Sequence, residues 1–253
     1  MIGYLRKIIF FLILVALWEG VYRLHIWPPD RVPSFLDVLI SLIDGFSEKN
    51  FLLAIGHSLE RVFKGYFLSL LLGIPLGLLI GRIKILEDTI GSLMLGMQTL
   101  PSICWLPLAI LWFGLSEKAI IVIVLLGAIF SISLATESGV KNVLPIFIRA
   151  AQNMGATGWK IYVKVIIPAA MPSIITGMKI GWSFAWRALM AGELLSPGGI
   201  GLGQILMMGR DLADMTQVIA VMIIIASLGL IIDRLLFTNL ERKVRQKWGL
   251  EIG

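Results

Sequence analysis

The sequence predicts an all-α, polytopic membrane protein. Three observations carry this. Of 253 residues, 58% are apolar and only 15% are charged, against about 25% charged in an ordinary soluble domain. Mean hydropathy is +0.91, which leaves too little polar surface to coat a water-facing globule and too little charge for a disordered chain. The length fits one membrane domain over 1–253 with about six spans of roughly 20 residues each.

The elements follow in order. The first span is expected at about 4–24. Glu19 and Arg23 lie near its far end, where charged heads reach the interface. No small-x-small cleavage site follows its apolar core, so it reads as a retained span rather than a signal peptide. Pro28, Pro29 and Pro33 break what comes next. Phe35, Val38, Leu39, Leu42, Ile43 and Phe46 then recur at helical spacing, predicting an amphipathic surface helix at about 34–47. The second span is expected at 65–81, where Gly73, Pro75 and Gly77 signal close packing or a kink. The third, 90–113, is uncharged and holds Pro101 and Pro107, which free carbonyls and bend a helix. The fourth is 119–136, followed by a polar loop at 137–172, a fifth span at 173–195, a glycine-rich stretch at 196–203 and a sixth span at 218–232.

Six crossings put both termini on one side. Lys and Arg favour that side by roughly two to one, so the termini and the 137–172 loop are expected to be cytoplasmic. The net charge of +6 has the same source, and no nucleic-acid partner is expected. The single cysteine, Cys104, excludes an internal disulfide or a multi-Cys metal site. Its neighbours Ile103 and Trp105 predict a small buried hydrophobe. Two histidines are too few for a His-rich metal centre.

The 137–172 loop is the most informative segment. Ala150, Ala151 and Met154 give a short apolar helix face, and Gly155 stands where a helix ends in the left-handed region. A second short helix is expected from Thr157 to Ile166, with Trp159, Tyr162, Val163 and Ile166 on one face and Pro168 as its stop. Two helices joined at a glycine make either a knob that docks into a partner's groove or a loop packed on its own bundle.

This segment resembles the EAA loop of binding-protein-dependent ABC importer permeases. Ala150-Ala151, three residues, Gly155, nine residues and Val165-Ile166-Ile167-Pro168 match that family's spacing throughout. Arg149 stands where the family has Glu. Further matching stretches place the chain closest to the nitrate/sulfonate/taurine branch. They are Trp18-Glu19, Ser58 to Val62 with Gly65-Tyr66, Gly73 to Gly77, Pro101 to Pro107 with Leu111 to Leu115, and Ala191 to Glu193 with Gly199 to Gly203. The resemblance implies a type I importer permease that pairs as a homodimer. Its coupling segment, Arg149, Ala150, Ala151, Gly155, Ala156, Trp159 and Pro168, would insert into a cytoplasmic P-loop ATPase dimer. An extracytoplasmic solute-binding protein would deliver a small anionic or zwitterionic solute of the sulfonate, taurine or nitrate type. The chain has no G-x-x-x-x-G-K-[ST] motif. ATP and Mg are therefore expected on the partner, with no cofactor or metal on this chain and no enzymatic activity of its own.

Within the fifth span, Arg187 lies well inside the apolar run, where a charge costs roughly 2.5–3.5 kcal/mol on insertion scales. It lines a passage, pairs structurally, or snorkels. Ser183 shares its face, and Glu193, roughly 240° around the same helix, is unable to reach it from there. Glu193 gates or pairs, while Gly199 and Gly201 permit a tight turn that is either an outer gate or a loop. Lys179 reads as an interfacial anchor, and Trp105, Trp112, Trp182 and Trp186 as packing or interface residues. An ion-gradient-driven secondary transporter is the alternative, but it predicts inverted repeats that the sequence does not display. A membrane-embedded enzyme lacks any H-E-x-x-H or gathered Ser/His/Asp set.

Overall fold

The computed structural model describes residues 2–28, 30–47, 50–196 and 199–247. Every regular element among them is a helix. They are α1 (Ile2–Arg23), α2 (Phe35–Ser47), α3 (Phe51–Ile80), α4 (Lys84–Gln98, with a π turn at Glu87–Gly91) and α5 (Ser102–Phe113, opening on a 3-10 turn). There follow α6 (Glu117–Lys141), α7 (Pro145–Asn153), α8 (Trp159–Leu194, with a π turn at Tyr162–Ile166) and α9 (Leu202–Asp211). Last come α10 (Met215–Ile232), a π turn (Asp233–Thr238) and α11 (Asn239–Lys247). Four helical runs are long and apolar enough to cross a membrane: α3, α6, α8 and Met215–Arg242. The α4–α5 pair, bent by 105°, makes a fifth. The remaining expected crossing is α1, whose 22 residues span about 33 Å. Its apolar side chains Ile8 to Leu14 face outward, and its charges, Arg6, Lys7, Glu19 and Arg23, lie towards its ends.

The chain divides into two compact units, Met1–Ser58 with Pro197–Ser227 and Leu59–Ser196 with Leu228–Gly253. In the first, Trp18 Nε1 donates to the Pro33 carbonyl at 3.0 Å and its ring meets Phe35 edge-on. Ser34 Oγ accepts from the Asp37 amide at 3.1 Å and caps α2. The expected amphipathic helix is there, but its faces differ from the expectation. Val38, Ser41 and Gly45 point inward, whereas Leu36, Ile40 and Ile43 are exposed. Small residues suit the inner face because the Phe51 ring packs directly over Gly45. The outer apolar face suits a lipid surface.

In the second unit, α6 is the central helix and α3 and α8 lie against it. Small residues set the closeness. A Cβ at Gly65 would fall 2.7 Å from Val124, one at Gly73 would fall 3.1 Å from Ile132, and one at Gly181 would fall 2.8 Å from Ile132. Ser133 Oγ donates to the Gly73 carbonyl at 2.9 Å, and Tyr66 OH to the Met178 carbonyl at 2.7 Å. These bonds satisfy polar groups inside an apolar bundle.

Four expectations are corrected. The third span is not one bent helix. It breaks at Thr99–Pro101, and Pro107 sits in the first turn of the helix that follows, where its missing N–H costs nothing. Cys104 lies in that 3-10 turn and is exposed rather than buried. The second span, expected to begin at Gly65, begins at Phe51, the start of α3. Pro168 does not stop a helix, because α8 runs unbroken from Trp159 to Leu194. The π turn immediately before Pro168 changes the hydrogen-bond register and accommodates the missing donor. The loop proper therefore shrinks to 142–158.

Candidate functional site

Three sites in the second unit carry the chemistry. At one end lies the 142–158 connection. α7 starts at Pro145 and ends in a two-bond cap. Gly155, at φ +83°, donates to the Gln152 carbonyl at 2.9 Å, and the Ala156 amide donates to Ala151 at 2.9 Å. This is the Schellman arrangement, which favours glycine at the left-handed position. Ala151 is buried, and Ala156 and Ile148 pack against the cluster of Val143, Ile161 and Ile166. Arg149 and Ala150 are exposed, and Arg149 makes no ion pair among the described residues. Leu144, Ile146, Met154 and Trp159 all face outward, the last two 81% and 74% exposed. Of the apolar face formed by Trp159, Tyr162, Val163 and Ile166, only Ile166 is buried, with Ile161 beside it. The Trp159 ring stacks on Tyr162, whose other partner is Arg82: the guanidinium lies 5.1 Å from the ring centre and Nε donates to the hydroxyl at 3.2 Å. An apolar projection is thus tied by its base to the residues just beyond α3.

At the opposite end of the same helices is a charged cluster that the sequence did not reveal. Arg61 donates from Nη1 to Glu193 at 2.9 Å and from Nη2 to Glu117 at 2.8 Å. Arg61 and Glu193 are buried, whereas the Glu117 side chain is 59% exposed. One guanidinium holds α3, the start of α6 and the end of α8. Glu193 pairs across helices, and not with Arg187. The available signal was the Ser58 to Val62 stretch, singled out only as a resemblance.

Between these ends lies the third site, at the break between α4 and α5. A cavity of about 450 Å³ opens there, lined by Gln98, Ser102, Trp105, Ser131, Phe184 and Arg187, among others. Arg187 Nε donates to the Ser183 carbonyl at 3.1 Å, and its guanidinium carbon lies 4.8 Å from the Phe184 ring centre. Arg187 has no carboxylate within salt-bridge reach among the described residues. Ser183 is exposed one turn away and donates to Lys179. Lys179 itself reaches Asp233 at 3.9 Å and Glu241 at 3.7 Å. Trp182 and Trp186 are buried packing residues, whereas Trp112 is exposed.

The glycine-rich turn belongs to the first unit. Gly199 is exposed, and Gly201 is buried with extended backbone, φ −171°. The Leu202 amide donates to Ser58 Oγ at 2.9 Å. Pro197 and Gly198 of this stretch lie outside the described residues, as do Pro29 and Lys49. Among the described residues no group of His, Cys, Asp and Glu side chains is arranged to hold a metal.

The family described as "Binding-protein-dependent transport system inner membrane component" matches residues 73–246. The chain is 38% identical to a Methanocaldococcus jannaschii chain named as an ABC transporter permease protein, covering 87% of this chain and 84% of that one. It is 28% identical to the taurine transport system permease protein of Escherichia coli, covering 87% and 82%. It is 31% identical to the nitrate import permease protein of Leptolyngbya laminosa, covering 72% and 64%. Among solved structures, an inward-facing form of the MetNI methionine ABC transporter superposes with a TM-score of 0.66 at 22% identity, over 76% of this chain and 95% of that chain. That likeness speaks for the fold.

Proposed function

The chain belongs to the family of binding-protein-dependent inner membrane transport components, and we propose that it forms the passage of an ATP-driven importer for a small anionic or zwitterionic solute. It is a membrane-spanning permease subunit. The observation that carries the solute class is Arg187: a guanidinium inside a span, on a cavity, with no carboxylate partner among the described residues. Relatives named for taurine and nitrate transport support the same class. In this reading two copies of the chain pair, and both termini and the 142–158 projection face the cytoplasm.

Coupling rests on that projection. A cytoplasmic P-loop ATPase dimer receives Trp159, Met154 and the neighbouring Arg149, Ala150 and Ala151 segment, with Gly155 and Ala156 holding its shape. ATP and Mg reside on that partner. ATPase closure moves the projection, and the Trp159–Tyr162–Arg82 stack carries the motion to α3. This is rigid-body alternating access. An extracytoplasmic binding protein delivers the solute at the Arg61–Glu193 end, and the turn holding Gly199 and Gly201 serves as an outer gate.

The test is to tag the C-terminus, extract the chain from native membranes in mild detergent and count the co-purifying subunits. Two P-loop ATPase chains per two copies of this chain are expected. A chain that purifies alone and carries solute without ATP overturns the reading in favour of a secondary transporter.

A further inference from the structure

We infer that the cavity at the α4–α5 break is an oxyanion-binding stop within the membrane subunit, with Arg187 as its two-pronged receptor; this rests on the importer reading above. Arg187 is held at two points, by its Nε bond to the Ser183 carbonyl and by the Phe184 ring beneath it. Its two Nη groups have no protein acceptor among the described residues. A guanidinium fixed this way presents a planar pair of donors, the geometry that matches two oxygens of one oxyanion. None of the cavity-lining residues is Asp or Glu. The other polar groups present are neutral: Ser102, Thr99, and Gln98, whose Nε2 donates to Ser131 Oγ at 3.4 Å. That bond leaves the Ser131 hydroxyl proton free to donate. One unpaired cation, neutral donors and no competing carboxylate suit a single negative charge.

The remaining wall is apolar. Trp105, Leu126 and Phe130 line it, with the Trp105 and Phe130 rings 6.4 Å apart. A short alkyl group attached to the oxyanion gains burial there. The class selected is therefore a small organic monoanion bearing two or more equivalent oxygens, ahead of a bare oxyanion, and far ahead of a spherical halide. The break in the span places irregular backbone where it lines a cavity, as a membrane interior requires.

The probe is ethanesulfonate, read by saturation-transfer NMR on its methyl protons. The sample is the purified permease–ATPase complex in lipid nanodiscs, with no binding protein added. Wild type is expected to show transfer that nitrate competes away and chloride at equal ionic strength does not. Arg187→Gln is expected to abolish the signal. Arg187→Lys is expected to reduce it at least about five-fold although the charge remains. Gly127→Leu approaches the cavity from another wall, since a Cβ there would fall 3.0 Å from Ala188 Cβ and 3.2 Å from Ser102 Oγ, and is expected to abolish the signal with Arg187 intact. Each variant is first checked for normal co-purification with the ATPase. Absence of a wild-type signal, equal competition by chloride, or an unchanged signal in Arg187→Gln or Arg187→Lys overturns the site. ATP-dependent uptake with binding protein is measured separately. Uptake without the NMR signal overturns the site alone, and the signal without uptake overturns the importer reading while the site stands.

Discussion

Arg61 and Glu193, 132 residues apart in sequence, form a buried ion pair at 2.9 Å that joins α3 to the end of α8. Removing one partner of such a pair leaves an uncompensated buried charge and costs about 3–5 kcal/mol. Glu193→Ala is therefore expected to lower the melting temperature of the purified complex sharply. Arg61→Met combined with Glu193→Leu is expected to recover much of the loss. Glu117→Gln is expected to cost about 1 kcal/mol or less, because that side chain is mostly solvent-facing. A double variant no more stable than the single one would show that the pair contributes more than mutual charge compensation.

The projection makes a second prediction. Gly155→Val puts a β-branched residue at φ +83°, at a cost of roughly 1–2 kcal/mol. The space around Gly155 is open, so the effect comes from backbone conformation and not from a clash. Membrane insertion is expected to be normal and solute-stimulated ATP hydrolysis lost. Hydrolysis at the wild-type level would separate the projection from coupling.

Trp159→Ala tests docking directly. Trp159 is 74% exposed, so its removal is expected to leave the subunit's own stability nearly unchanged. ATPase retention during purification is expected to weaken at least ten-fold. Tyr162→Phe keeps the ring over Arg82 but loses the 3.2 Å bond, and is expected to retain the ATPase while lowering transport per ATP hydrolysed. Equal retention of the ATPase by wild type and Trp159→Ala would count against the docking surface.

Close packing of α3 on α6 is the subject of a fourth prediction. A Cβ at Gly77 would fall on the Ser133 carbonyl oxygen and Thr136 Cβ, so backbone must move to admit it. Gly77→Val is expected to abolish stable accumulation in the membrane, whereas Gly96→Ala, with open space around it, is expected to accumulate normally. Comparable accumulation of both variants would contradict the close approach.

Much of this was legible in the sequence. Hydrophobic runs located α6 and α10 to within about five residues and the C-terminal end of α8, whose start they placed 14 residues too late. The glycine spacing located the turn at Gly155, because a left-handed cap leaves a local signature. Features set by distant partners were not legible. Arg61 sits among Glu60 and Lys64 and reads as part of a polar flank; only a carboxylate 132 residues later makes it a buried group. Pro101 marked the site of the α4–α5 bend but not its extent, because the run is equally apolar on either side of the 105° turn. Pro168 looked like a stop because proline removes a donor, and the preceding π turn that accommodates it has no sequence signature of its own. Arg187 was visible as a charge in a span, but its freedom from a carboxylate depended on Glu193 being engaged elsewhere.

The most direct test reconstitutes the permease, its ATPase and its binding protein in proteoliposomes. Uptake of labelled ethanesulfonate, taurine and nitrate is then followed with and without ATP on the ATPase side. The account predicts uptake of at least one of these solutes that requires both ATP and the binding protein. It also predicts that Arg187→Gln loses uptake at least ten-fold while the complex still assembles. Wild-type uptake rates in Arg187→Gln, or uptake that follows an ion gradient without ATP, would contradict it.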